Sequence, residues 1–318
     1  MARRILITGA SGFLGGHLLR ALAALNRPDD TVLAASRGAA EGTGVRHLDI
    51  DLTEDGACAR LLADTLPSHV VHLAGAASVG AAAQAVAETW KANFHMTFAL
   101  AEAAAGMAAP PRFVLASSGE VYGATAREAE LLSEDLPLRP AGVYARTKAA
   151  AELAVSDLLG RHSAAILRLF NSIGPGQDER FVAGAFAAQI ARIEAGLMPP
   201  VLHVGNLDSV RDFIDAADTA DAICRVLGLL DADKPGVAIF NVCSGRGRSI
   251  ASLVEDMRLL ATRPFEVQID PERARPSETP RAVGDNARLR ERTGWSPATA
   301  WQATLQRTLD DWRARLKR

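Results

Sequence analysis

The chain has 318 residues, of which 48% are hydrophobic and 23% charged, a composition typical of a globular protein with one or two domains. Its formal net charge of −2, without a long run of one sign, argues against nucleic acid as the main partner. The three cysteines lack the spacing of metal ligands, no segment is apolar enough to span a bilayer, and no signal-type apolar run opens the chain. We therefore expect a cytoplasmic protein with no metal site and no membrane contact.

Short apolar runs alternate with helical runs through the first half of the chain. Strands are predicted at residues 4–8, 31–36, 69–74, 112–117 and 164–170. Helices are predicted around residues 15–26, 56–65, 86–105 and 144–159. This βαβα order predicts an α/β fold, a Rossmann-type doubly wound parallel sheet with helices on both faces.

The alternation ends after Phe170. A turn-rich loop is predicted at residues 171–177, a strand at residues 238–242 is expected to return to the sheet, and residues 270–278 read as an extended charged loop. We predict a nucleotide-binding Rossmann domain made of residues 1–170 and about 212–245. A smaller α/β C-terminal substrate domain would comprise residues of about 171–211 and 246–318.

A glycine-rich turn, Thr8-Gly9-Ala10-Ser11-Gly12-Phe13-Leu14-Gly15, lies between the first predicted strand and the first helix. Glycines at this spacing allow a tight turn, room for a pyrophosphate against the backbone, and close contact between helix and strand. Because the motif follows a strand and opens a helix, it predicts a dinucleotide site rather than an ordinary turn. The residues expected to contact the cofactor here are Gly9, Ser11, Gly12, Phe13, Leu14 and Gly15.

The residues after the second strand bear on the choice of cofactor. In NAD-binding versions of this fold, an acidic residue at this point holds the ribose hydroxyls. This chain has Ser36 and Arg37 instead, which suit the 2′-phosphate of NADP, although Arg37 could be a solvated loop cation. We favour NADP(H), with NAD(H) as the alternative. Asp51 and Leu52 are placed at the adenine edge, where Asp51 could equally be a turn residue and Asp49 is a competing candidate.

Tyr144 and Lys148 are one helical turn apart and therefore project from the same face of a helix. The ammonium of Lys148 favours the phenolate, so we expect it to lower the pKa of Tyr144. Ser118, which follows a predicted strand, could hold a substrate carbonyl. An ordinary amphipathic helix would explain Tyr144 and Lys148 alone. With Ser118 and the glycine-rich turn in register, the set predicts hydride transfer coupled to proton transfer.

Together these residues resemble the extended short-chain dehydrogenase/reductases, the NAD-dependent epimerase/dehydratase family. The motifs that carry the resemblance are Thr8-Gly9…Gly12…Gly15, His72-Leu73-Ala74-Gly75, Asn93, Ser117-Ser118…Val121-Tyr122-Gly123 and Tyr144…Lys148. The resemblance implies a catalytic set of Ser118, Tyr144, Lys148 and Asn93, in which Asn93 anchors a water in the proton path. It also implies cofactor contacts from Leu73, Ala74, Gly75, Tyr144 and Lys148.

Within that family, the second half of the chain looks like the GDP-4-keto-6-deoxy-D-mannose reductases. Motifs of this half include Phe170-Asn171…Gly174-Pro175-Gly176-Gln177, Arg211-Asp212-Phe213 and Arg273…Arg275-Pro276-Ser277. The resemblance implies reduction of the 4-keto sugar to GDP-D-rhamnose. The residues it implies for substrate binding are Ser118, Glu120, Asn171, Phe181, Arg211, Arg275 and Glu278.

Two other functions remain open at this stage. A nucleotide-sugar 4-epimerase acting on a UDP- or dTDP-hexose with bound NAD would use the same catalytic groups, but it usually has the acid that is missing after the second strand. A non-catalytic NADP-binding regulator often lacks the tyrosine or the lysine, and this chain has both. The alanine-rich helices around residues 81–105 and 144–159 are expected to pair across a homodimer.

Overall fold

The structure is a computed structural model that describes residues 2–38, 45–232, 234–271 and 279–317. Its strands are β1 (Arg4–Thr8), β2 (Thr31–Ser36), β3 (Arg46–Asp49), β4 (His69–His72), β5 (Arg112–Ser118), β6 (Ser163–Leu169), β7 (Asn171–Ile173), β8 (Val201–Val204), β9 (Val210–Asp215), β10 (Gly236–Val242), β11 (Gly247–Ser249), β12 (Glu266–Ile269) and β13 (Arg281–Ala282). Its helices are α1 (Phe13–Ala24), α2 (Ala57–Thr65), α3 (Val79–Gln84), α4 (Val86–Trp90), α5 (Met96–Ala105), α6 (Gly142–Leu159), α7 (Val182–Glu194), α8 (Ala216–Ala232), α9 (Ile250–Arg258), α10 (Ala287–Thr293) and α11 (Trp301–Arg315).

Seven strands form one parallel sheet in the order β10-β6-β5-β4-β1-β2-β3. The order reverses at β1, since β2 lies on one side of it and β4 on the other. The carboxyl ends of β1 and β4 therefore flank the crevice where open sheets of this kind bind ligands. The predicted Rossmann-type doubly wound sheet is confirmed, and β10 provides the predicted returning strand.

Side chains on the two faces of the sheet pack into two separate cores. On β1, Ile5 and Ile7 belong to the core that also contains residues of α1 and α8, whereas Leu6 belongs to the core shared with α2, α5 and α6. This alternation is the two-residue period of a strand buried on both faces. The helices of the second core include α6, which carries Tyr144 and Lys148, and this packing fixes α6 over the sheet.

The sequence prediction and the structure differ in two elements. The helix predicted at residues 86–105 is divided into α4, a π-helical turn (Lys91–His95) and α5. The loop predicted at residues 171–177 begins with the short strand β7, which pairs with β9. Most of the charged loop predicted at residues 270–278 lies outside the described residues.

The second half of the chain builds smaller units beside the main sheet. A four-stranded sheet contains β7, β9, β11 and β13, and a separate pair contains β8 and β12. A further apolar core joins α7, α9 and α11. The division into two domains at the stated boundaries stays a prediction. Among the described helices, none is long and apolar enough to cross a membrane, and the described residues contain no group of metal-ligating side chains.

Candidate active site

The glycine-rich turn packs against the chain segment that follows β4. Gly9 has a φ of +71°, and a Cβ added to it would lie 2.6 Å from the backbone nitrogen of Ala74. A Cβ on Gly15 would lie 2.5 Å from the carbonyl oxygens of both Gly9 and Ala10. These distances are too short for a side chain, so the turn and the segment after β4 form a cradle that requires glycine.

Helix α1 begins directly after this turn. Its N-cap is Gly12, and within the described residues no side chain caps it. Backbone N–H groups at such a helix start, together with the helix dipole, provide a site for an anion such as a pyrophosphate. The exposed positions among the predicted cofactor contacts are Ser11, Gly12 and Gly75, the half-buried ones are Gly9, Phe13, Leu14, Leu73 and Ala74, and the buried ones are Gly15 and Leu52. The residues present therefore fit a dinucleotide.

The side chains after β2 form a small polar group. The hydroxyl of Ser36 donates to the carbonyl of Gly38 and lies 2.9 Å from Nε2 of His47. Arg37 has 79% of its side chain exposed and lies 3.8 Å from a carboxylate oxygen of Asp51. Asp51 also accepts two hydrogen bonds from Thr53, and these bonds are the main cause of its lowered pKa. Asp51 therefore adopts the geometry of a turn residue, and its contact with adenine stays a prediction.

Tyr144 and Ser118 are brought together by α6 and the end of β5. Their side chains share a hydrogen bond, and Ser118 is 7% exposed. Burial raises the pKa of Tyr144 to about 12, while the bond to Ser118 lowers it and the negative charge of Glu120 raises it further. The expected lowering of this pKa by Lys148 is not observed in the structure, where burial dominates. The phenol therefore carries its proton near neutral pH.

Lys148 is buried at the same site. Its ammonium donates to the carbonyl of Ala116 at 2.9 Å. Burial lowers the pKa of Lys148 to about 8, and the negative charge of Glu152 opposes that shift. A Cβ on Gly75 would lie 3.5 Å from the ammonium, so the segment after β4 passes directly over it. The ammonium of Lys148 therefore lies between β5 and the segment after β4, beside the nucleotide cradle.

Asn93 lies in the π-helical turn and is 1% exposed. Its side-chain oxygen accepts from the backbone N–H of Ala76 at 2.8 Å, and its amide donates to the hydroxyl of Thr147 at 3.1 Å. Thr147 in turn donates to the carbonyl of Tyr144. Asn93 therefore joins the segment after β4 to α6, and its role in holding a water stays a prediction.

A buried histidine that the sequence analysis did not assign to the site connects the same elements. Nδ1 of His72 lies 2.7 Å from the hydroxyl of Thr8, and Nε2 lies 3.0 Å from the hydroxyl of Thr97. Thr97 donates to the carbonyl of Asn93. Burial, with a contribution from the charge of Lys148, lowers the pKa of His72 to about 3, so the ring is neutral. The available sequence signal was the place of His72 at the start of the His72-Leu73-Ala74-Gly75 motif, near the end of a predicted strand.

The loop after β7 covers the start of α1. The ring of His17 on α1 lies 2.9 Å from the carbonyl of Pro175. On the other side, the backbone N–H of Gly176 donates to Asp311 of α11. These two bonds connect the second half of the chain to α1, the helix that begins at the glycine-rich turn.

The described residues predicted to bind substrate occupy different places. Glu120 affects the pKa of both Tyr144 and the half-buried Arg211, so these three side chains share one electrostatic environment. Asn171 is exposed at the start of β7 and donates to the carbonyl of Asp212. Phe181 is the N-cap residue of α7. Arg275 and Glu278 lie outside the described residues, and the substrate contacts of the whole set stay predictions.

A glycine cradle at the switch point of a Rossmann-type sheet, beside a Tyr–Lys pair, defines a nicotinamide-dependent class of enzyme. The chain belongs to the NAD dependent epimerase/dehydratase family, whose sequence profile matches residues 5–243. The prediction of an NAD(P)-dependent enzyme of the short-chain dehydrogenase/reductase type is confirmed by this match.

Within the family, the chain is similar to proteins of different activities, among them a reductase and an epimerase. It is 35% identical to GDP-6-deoxy-D-mannose reductase of Pseudomonas aeruginosa, over 100% of this chain and 99% of that protein. It is 27% identical to a UDP-glucose 4-epimerase of Azospirillum brasilense, over 96% of this chain and 94% of the epimerase. The structure of RMD from P. aeruginosa complexed with NADPH matches with a TM-score of 0.85 and 35% identity, over 99% of this chain and 100% of that chain.

Proposed function

We propose that this protein uses NADPH to reduce the 4-keto group of GDP-4-keto-6-deoxy-D-mannose, giving GDP-D-rhamnose. The observation that carries the proposal is the end-to-end similarity to GDP-6-deoxy-D-mannose reductase, at 35% identity. The hydrogen-bonded pair of Ser118 and Tyr144 supports it, because reduction of a ketone needs a proton donor at the carbonyl oxygen. Ser118, Tyr144, Lys148 and Asn93 are the proposed catalytic residues.

The nicotinamide, when bound, supplies the hydride for the carbonyl carbon. Ser118 holds the carbonyl oxygen by a hydrogen bond and polarises it. Tyr144 gives its proton to the same oxygen as negative charge develops there, and its pKa of about 12 means that the proton is present at neutral pH. Lys148 is proposed to hold the ribose of the nicotinamide, as the family resemblance implies.

We propose NADPH rather than NADH as the reductant because of the residues after β2. Arg37 is 79% exposed, so its guanidinium is accessible to a 2′-phosphate. Ser36 offers a hydroxyl beside it. The related P. aeruginosa structure was determined with NADPH, which agrees with this choice.

A polar substrate subsite is proposed around Glu120, Asn171 and Arg211. A pyrophosphate needs cations, and a guanidinium forms paired hydrogen bonds with phosphate oxygens. Arg211 is half-buried on β9, and burial lowers its pKa while the charge of Glu120 raises it. Phe181, Arg275 and Glu278 are proposed to complete the subsite.

The second candidate function is 4-epimerisation of a nucleotide sugar. The similarity to the UDP-glucose 4-epimerase over 96% of the chain favours it. An epimerase would also use a tyrosine and a lysine, but it would retain its cofactor through the cycle and consume none.

The test is consumption of NADPH in the presence of GDP-4-keto-6-deoxy-D-mannose, produced in the same vessel by a dehydratase, with NADH in parallel. We expect rapid loss of NADPH absorbance, and loss of this signal in Tyr144→Phe. The configuration of the product at C4 distinguishes GDP-D-rhamnose from the 6-deoxytalose epimer. Interconversion of UDP- or dTDP-hexoses without cofactor consumption would support the epimerase instead.

We also propose a homodimer formed through α5 and α6. Phe98 and Leu153 on these helices are 37% and 65% exposed, although both are large and apolar. Leu153→Glu should convert the dimer to a monomer in analytical ultracentrifugation, because it places a charge in the proposed contact. A wild-type monomer would contradict the proposal.

A further inference from the structure

A buried carboxylate stands behind the catalytic residues. Glu152 lies on α6 one helical turn after Lys148, and its side chain is 4% exposed. A buried charge is costly unless it is paired and hydrogen-bonded, so its partners are informative. Those partners come from β5 and β6, the strands beneath the catalytic helix.

The first partner is the residue next to the catalytic serine. The hydroxyl of Ser117 donates to Oε1 of Glu152. Ser117 directly precedes Ser118 at the end of β5, so holding Ser117 against α6 also holds the backbone from which Ser118 reaches Tyr144 on the same helix. The bond between Glu152 and Ser117 therefore sets the orientation in which Ser118 meets Tyr144.

The second partner is Arg168 on β6. Its Nη2 lies 2.9 Å from Oε2 of Glu152, and its Nε donates to both carboxylate oxygens at 3.2 Å. Arg168 also donates to the hydroxyl of Tyr122 and to the carbonyl of Glu134. These bonds hold the carboxylate in one orientation, because both of its oxygens and all three guanidinium nitrogens take part in hydrogen bonds.

The third feature is the charge that faces Lys148. Glu152 is the group whose charge supports the protonated ammonium against the effect of burial. On the elements packed against α6, the other titratable or charged groups are His72 on β4, Arg112 on β5, Glu120 and the buried Tyr122 in the turn after β5, Arg168 on β6, and the exposed Glu88, Lys91, His95 and Glu102 of α4, the π-helical turn and α5. His72 is neutral because its pKa is about 3.

We propose that Glu152 is a positioning residue for the reaction, which orients Ser118 through Ser117 and places a carboxylate one helical turn from Lys148. This inference rests on the proposed catalytic roles of Ser118 and Lys148. It assigns the ion pair between Glu152 and Arg168 a function in catalysis beyond holding α6 to the sheet.

The first test is the pH dependence of kcat/KM in Glu152→Gln and in Glu152→Gln/Arg168→Gln. The double variant removes both charges of the ion pair, so neither Glu152 nor Arg168 is left as an unpaired buried charge. It therefore keeps the test available if the single variant fails to fold. Without the carboxylate, we expect the pKa of Lys148 to fall, so that the loss of activity expected near pH 8 in the wild type moves to lower pH. A shift of about one pH unit corresponds to roughly fivefold lower relative activity at pH 8.

The matched control is Glu194→Gln. Glu194 pairs with Arg313 through two short hydrogen bonds between α7 and α11, in the C-terminal core. This variant loses a comparable ion pair and should show the wild-type pH profile. An unchanged profile in the folded double variant, or an equal shift in Glu194→Gln, would overturn the inference.

The second test concerns orientation. Ser117→Ala should lower kcat about tenfold without moving the pH profile, and Ser117→Thr should restore most of the loss. An unchanged kcat in Ser117→Ala would contradict the positioning role. If the wild type does not reduce the keto sugar, the proposed function fails by itself. The pH dependence of NADPH affinity, followed by fluorescence, then tests the effect of Glu152 on Lys148.

Discussion

Replacement of Asn93 by alanine separates its structural contacts from its predicted catalytic role. Asn93 is 1% exposed and forms two side-chain hydrogen bonds, to the N–H of Ala76 and to the hydroxyl of Thr147. The N–H of Ala76 loses its acceptor in the variant, whereas Thr147 keeps its bond to the carbonyl of Tyr144. A buried donor without an acceptor costs about 1–3 kcal/mol, and a lost neutral hydrogen bond costs roughly 1 kcal/mol.

We therefore expect Asn93→Ala to lower the free energy of unfolding by about 2–4 kcal/mol, which corresponds to a fall in Tm of roughly 4–10 °C. The assay is thermal and urea unfolding of the wild type, Asn93→Ala, Thr147→Val and the double variant. The double-mutant cycle should give a coupling energy above about 0.5 kcal/mol, because the two side chains are in contact. Thr147→Ser, which keeps the hydroxyl and loses one buried methyl group, is the control and should lower the free energy of unfolding by only about 1 kcal/mol.

The activity of the same variants supplies the second measurement. If Asn93→Ala leaves Tm unchanged while kcat falls, the structural reasoning is wrong and the residue acts only through a bound water. If Tm falls as expected and kcat measured well below Tm is unchanged, Asn93 stabilises the fold through its hydrogen bonds and is not a catalytic residue.

Three further predictions concern the cofactor and the buried histidine. Gly15→Ala should abolish detectable NADPH binding in a fluorescence titration, because its Cβ would lie 2.5 Å from two carbonyl oxygens, and wild-type affinity would refute the cradle. Arg37→Ala should lower the preference for NADPH over NADH about 10–100-fold in kcat/KM, and an unchanged ratio would place the 2′-phosphate elsewhere. The lowered pKa of His72, about 3 against an ordinary 6.5, contributes stability that is complete above pH 6.5 and is lost as pH falls toward 3. When the pH is lowered from about 6.5 to 5, the free energy of unfolding measured in urea should fall by about 2 kcal/mol less in His72→Gln than in the wild type. Parallel curves of this free energy against pH would contradict the assignment.

The elements of the main sheet were predictable because buried parallel strands are continuous apolar runs separated by turn residues. The predicted strands at residues 4–8 and 31–36 coincide with β1 and β2, and the others agree within two residues. The spacing of Tyr144 and Lys148 likewise predicted a shared helix, which is α6. Local periodicity was enough for these features.

What the sequence could not provide were contacts between distant segments. The π-helical turn at Asn93 has no local signal, since it accompanies bonds to residues 76 and 147. The pKa of Tyr144 was predicted from its neighbour Lys148, whereas burial by the surrounding elements determines it. Glu152 meets Ser117 and Arg168 only because α6 packs on β5 and β6, and no local sequence pattern indicates these contacts.

The strand order has a consequence for how the chain folds while it is being synthesised. β6 ends at Leu169, but its outer neighbour β10 begins only at Gly236. When β6 has emerged from the ribosome, the residues Ala164 to Leu167 are therefore unpaired on one side and form an exposed apolar sheet edge. This edge stays exposed until nearly 70 more residues have been synthesised. Truncation before β10 should yield aggregates rather than a soluble fragment, and holdase chaperones should bind the nascent chain most strongly during this interval.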